Sequence, residues 1–153
     1  MTLKELSDEW VAAGSAVWLV LDATEVAPLA QQAARFVSGW SVLEALDKGD
    51  GTLPKPDEIL PETAVTNGEW ATIKPLFVLY VELQNAMRLE ASRSLGIDVY
   101  GRASSEITAD ITRMEAEEIP RKCFREDVMT VGFDDLGGTS SLGSMFGGYK
   151  WMF

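Results

Sequence analysis

Apolar and polar positions alternate along this chain with a helical rhythm, interrupted in a few places by proline and glycine. Thr2 followed by Glu5 has the spacing of a capping box, which predicts a short helix over residues 3–13 with Leu3, Leu6 and Trp10 on one face. Gly14 is the expected stop, and the apolar run 16–21 reads as a buried strand or short helix. A longer helix is expected to open at Asp22-Ala23-Thr24-Glu25. Its face is Val26, Leu29, Ala30, Ala33, Val37, Trp40 and Leu43, which carries it to about residue 46. Pro28 falls near the first turn, where a missing amide costs least.

Residues 48–66 break the rhythm with Pro54, Pro56 and Pro61 and the acids Asp57 and Glu58 among them, and read as an extended connector between two helical layers. Thr66 and Glu69 then repeat the capping-box spacing. The helix they open is expected to reach about Leu95, with Trp70, Ile73, Phe77, Tyr80, Leu83, Met87 and Ala91 facing inward. Pro75 should bend it or mark an early turn, and Gly96-Ile97 resembles a Schellman ending. A last helix is expected over 103–118 on Ile107, Ile111 and Met114, ended by Pro120, and residues 127–133 read as a short strand. The fold class is therefore mainly α: a small helical bundle with a short β element over residues 1–133, and an extended C-terminal arm, residues 134–153.

That arm has its own composition. Glycine and serine predict flexibility, yet Leu142, Met145, Phe146, Tyr149, Trp151, Met152 and Phe153 are large apolar groups of the kind enriched at interfaces. Two fates are open to them, docking on a partner or folding back on their own domain. The closely spaced glycines weaken any regular element that would pack locally, which favours the partner.

Composition narrows the chemistry. The 153 residues hold no histidine, which removes the commonest general base and metal ligand along with Ser-His and Cys-His nucleophiles. The single cysteine, Cys123, allows no intrachain disulfide and reads as a small core or surface thiol. Glu106 and Asp110 lie one helical turn apart. They are either carboxylates for a divalent ion or a solvated face with helix pairs such as Asp110–Arg113 and Glu117–Arg121. Glu82, Arg88, Glu90 and Arg93, together with Glu106, Asp110 and Arg113, are candidates for ion pairs within the chain or between neighbouring subunits. The glycines fit neither a P-loop nor a dinucleotide fingerprint. No catalytic residue, metal ligand or cofactor is assigned, and an enzyme is not expected.

The net charge of −11 argues against a surface that tracks phosphates, while leaving room for an acidic wall past which a duplex slides without sticking. No apolar run reaches the roughly 18–20 residues of a membrane span, and the charged N-terminus lacks a signal-peptide core.

The long helix from Trp70, the corner Leu95-Gly96-Ile97-Asp98-Val99-Tyr100-Gly101-Arg102, the helix beginning Ala103-Ser104-Ser105-Glu106, and Pro120-Arg121-Lys122-Cys123-Phe124 before a strand together resemble head-to-tail connector (adaptor or neck) proteins of tailed bacteriophages. The resemblance covers about residues 69–133, and the proline-rich 48–66 segment departs from it. It implies a virion protein, made in the host cytoplasm, that forms a homo-oligomeric ring under the portal, typically a dodecamer. It further implies portal and tail or neck proteins as partners, an arm inserted into the portal, and DNA passing nearby without sequence-specific binding. A tail-completion or capsid-associated protein, or a cellular helical adaptor that uses the same tail, would share these features.

Overall fold

A computed structural model describes residues 1–13, 21–49, 52–93 and 101–123. Four α-helices run through them: α1 (Leu3–Ala12), α2 (Ala23–Ser38), α3 (Asn67–Arg93) and α4 (Ser104–Arg113). The protein is mainly helical, and among the described residues the only β pairing is an isolated antiparallel bridge between Thr2 and Ala64. The expected strand at 127–133 and the run 16–20 lie outside the described residues.

Three helix starts follow directly from local chemistry. The first N–H groups of a helix have no intrahelical acceptor, so a side-chain oxygen must supply one. At α1 the Thr2 hydroxyl accepts from the Glu5 amide at 3.2 Å while the Glu5 carboxylate accepts from the Thr2 amide at 2.9 Å. Asp22 and Glu25 repeat the exchange at α2, at 3.0 and 3.2 Å. Thr66 and Glu69 do the same at α3.

α3 is the axis of the bundle, with α2 and α4 packed against it and α1 against α2. Its buried positions are Thr72, Ile73, Leu76, Phe77, Tyr80, Val81, Asn85 and Ala86, a stripe at three- and four-residue spacing. Phe77 is the keystone: fully buried, it meets the Trp10 ring edge-on at 5.2 Å and the tilted Trp70 ring at 5.6 Å. Met87 and Ala91 depart from the expected inward face. Both are exposed, because beyond Tyr80 the stripe turns onto Val81, Asn85 and Ala86.

The second helix is shorter than its apolar rhythm predicts. α2 ends at Ser38, where the Gly39 and Trp40 amides fold back onto the Phe36 and Val37 carbonyls in a tightening last turn. Leu43 still reaches the core, but from the following loop, while Trp40 is left half exposed. A buried position at helical spacing therefore need not be helical.

The proline-rich connector is built in rather than strung across. Pro54, Ile59, Thr63 and Val65 are buried, and the Thr63 and Pro61 carbonyls accept from the Leu3 and Lys4 amides at 3.1 and 2.9 Å. These are two of the unpaired N–H groups at the start of α1. The Val65 amide returns the contact to the Met1 carbonyl at 2.8 Å. Gln31 on α2 donates to the Ile59 carbonyl at 2.6 Å, so the connector ties α1 to α2.

Pro120 does not end the last helix. The chain continues helically to Cys123 through a π turn at Met114–Glu118, in which the Ile119 amide reaches back five residues to the Met114 carbonyl. A proline ring normally collides with the carbonyl four residues before it, and the wide turn just ahead of Pro120 makes the room.

Candidate functional site

The expected site residues fall into two sets. The seven apolar arm residues, Leu142, Met145, Phe146, Tyr149, Trp151, Met152 and Phe153, lie outside the described residues. The charged set lies on α3 and α4, and the fold brings most of it together along the seam between those helices.

Arg102, in the loop before α4, is the centre of this seam. Its guanidinium pairs with Glu82 of α3 at 3.4 Å and with Asp110 of α4. The hydrogen bond from Arg102 holds the Asp110 carboxyl below its ordinary range. Arg113 then approaches Asp110 at 3.5 Å and Glu118 at 3.5 Å. Arg121 sits 3.9 Å from Glu117, so both helix pairs expected from spacing are present. Glu106 is exposed beside this chain of charges and contributes to the field at Arg102.

Glu90 has a different task. Ala103, the residue that should cap α4, has no polar side chain, and the Glu90 carboxylate on α3 replaces it. It accepts from the Ser104 amide and hydroxyl, each at 2.8 Å. A carboxylate at a helix N-terminus also meets the positive end of the helix dipole. Arg88 pairs with Glu25 of α2 through two hydrogen bonds, one of them 3.0 Å, and holds that carboxyl below its usual range. Arg93 is the last residue of α3. The charged residues whose contacts are described thus engage partners within one subunit.

Tyr80 completes the seam from the other side. Its hydroxyl donates to Glu115 at 2.6 Å, and burial together with that carboxylate pushes the phenol well above the ordinary tyrosine range. Neither Arg102 as a clamp nor this tyrosine was legible from spacing, because the partners of Arg102 lie 8 and 20 residues away and that of Tyr80 lies 35 away, all beyond helical-turn spacing. Cys123 is buried at 3% exposure.

This arrangement joins helices through ion pairs and hydrogen bonds. Among the described residues no group of three or more Asp, Glu, Cys or His is placed to hold a metal ion. Asp110, which shares with Glu106 the one-turn spacing weighed for a divalent ion, already faces Arg102. An open depression near Met1, Val65 and Asn67 offers one ionisable side chain, Glu44. No helix among the described residues is long and apolar enough to cross a membrane. No protein-family model matches the chain, and neither a curated protein nor a solved structure proved similar to it.

Proposed function

We propose that this protein is a structural assembly subunit, specifically a head-to-tail connector of a tailed bacteriophage, which joins a ring of identical copies and docks on the portal through residues 134–153. One observation carries the reading. Buried residues from Leu3 to Cys123 form a hydrophobic core, and the sequence from 134 to 153 carries eight large apolar residues, Leu136 and the seven docking candidates. Such groups gain most by burial on another polypeptide, at roughly 1.5–3 kcal/mol for each large side chain fully buried. The net charge of −11 supports a place beside passing DNA, since an acidic wall repels the duplex.

The test mixes the full chain, and separately the Phe146→Ser/Trp151→Ser variant, with purified portal rings, and reads the assembly by native mass measurement. A defined number of full-length copies on each portal ring, and loss of the complex in the variant, is the expected result. Binding of the variant with undiminished affinity overturns the role of the arm. Failure of the full chain to bind any portal overturns the connector assignment itself.

A further inference from the structure

The buried residues of the last described helix do not fit an ordinary α-helix. Ile107, Ile111, Ile119 and Cys123 are all in the core, and every gap between them is a multiple of four residues. In an α-helix each step of four overshoots a full circle by about 40°, so Cys123 would stand about 160° from Ile107, on the opposite face. The π turn at Met114–Glu118 absorbs one extra residue. That takes back about 100° and leaves Cys123 within about 60° of Ile107, inside the width of an apolar stripe.

Met114 of the turn packs against the core, and polar contacts bear on the turn. Tyr80 of α3 donates to Glu115 within it at 2.6 Å, and Arg113 approaches Glu118 across it at 3.5 Å, both partners being substantially exposed. Ala116 is exposed. Beyond it, Ile119 and Cys123 supply the burial, and Pro120 between them offers no amide to strengthen the segment.

We propose that the π turn is a two-position register device, with the Tyr80–Glu115 hydrogen bond as its latch. In the position seen, Ile119 and Cys123 seal the end of the bundle. When the extra residue is returned to ordinary α-helix, residues 119–123 rotate by about 100°. Ile119 and Cys123 then leave the core, and residues 119–123 turn a different face to the bundle. The device therefore couples the seal of the core to the orientation of residues 119–123.

Cys123 is the chain's only thiol and so reports its own release. The full-length protein is treated with Ellman's reagent across a range of low urea concentrations. If release is local, labelling is insensitive to urea well below the unfolding transition, because little surface is exposed on opening. Tyr80→Phe removes the latch and accelerates labelling about tenfold, the effect of one hydrogen bond to a charged acceptor. Deletion of Ala116 removes the extra residue, so an ordinary helix seats both side chains. Labelling then falls below that of the parent, and Tyr80→Phe no longer accelerates it.

Labelling that follows the urea dependence of global unfolding in both the parent and Tyr80→Phe overturns the proposal. So does a Tyr80→Phe effect that persists undiminished after the deletion. A deletion variant that fails to fold counts against it equally, since an ordinary helix would then not seat Ile119 and Cys123.

Discussion

Replacing Phe77 by alanine should remove the one side chain that joins α1 to α3 through aromatic contact. The ring is fully buried between Trp10 and Trp70, with centroids at 5.2 and 5.6 Å. Truncating a buried phenylalanine costs about 3–5 kcal/mol, from lost transfer energy plus the cavity left behind. Against the 5–15 kcal/mol typical of a folded domain, that is a large fraction of the total stability. The edge-on pair with Trp10 should account for about 0.5–1.5 kcal/mol beyond simple burial. A double-mutant cycle with Trp10→Leu and Phe77→Leu isolates that share, Trp70 staying constant at all four corners. Urea unfolding is best followed by far-ultraviolet circular dichroism, because tryptophan emission changes with the mutations themselves. A loss below about 1.5 kcal/mol for Phe77→Ala would refute the keystone role, because it falls outside the range for a buried ring. A coupling indistinguishable from zero would refute the aromatic contact.

Other outcomes test the joints of the fold. Gln31→Ala should cost about 1–2 kcal/mol in urea unfolding, since it strips the Ile59 carbonyl of a donor at 2.6 Å. Glu90→Ala should cost about 1 kcal/mol by removing the cap of α4, and should speed amide exchange at Ser104. Asp22, Glu25 and Asp110 are held below their ordinary carboxylate range, by the Thr24 hydroxyl, by Arg88 and by Arg102 respectively. Their folded-state pKa values are depressed, so their contribution is fully present above the unfolded-state values and is lost as pH falls through the folded-state ones. The urea midpoint should therefore drop on acidification through that window, and Arg88→Ala should flatten part of the drop. Calorimetric titration with Mg²⁺, Ca²⁺ or Mn²⁺ should show no saturable micromolar binding, because Asp110 is committed to Arg102; saturable heat abolished by Asp110→Ala would overturn that assignment.

The local rules of the chain were sufficient for three of the four described helix starts. Thr2/Glu5, Asp22/Glu25 and Thr66/Glu69 each act within four residues, so their capping needs no knowledge of the rest of the molecule. Apolar periodicity likewise determined α3 and the mainly helical class, because a helix three to four residues per turn must bury the stripe it carries. Composition alone removed histidine-based chemistry. Tertiary structure decided the remainder. Leu43 enters the core from a loop after α2 has ended, and Trp40 does not, although both keep helical spacing. The connector became part of the core because the start of α1 needed acceptors and its carbonyls were within reach. Pro120 sits inside a helix only because Ile119 and Cys123 find burial through a widened turn. Arg102, Glu90 and Tyr80 acquired their roles from partners 8 to 35 residues distant. A sequence states which groups must be paired or buried; only the packed chain determines which distant group does it, since that depends on geometry that no local spacing encodes.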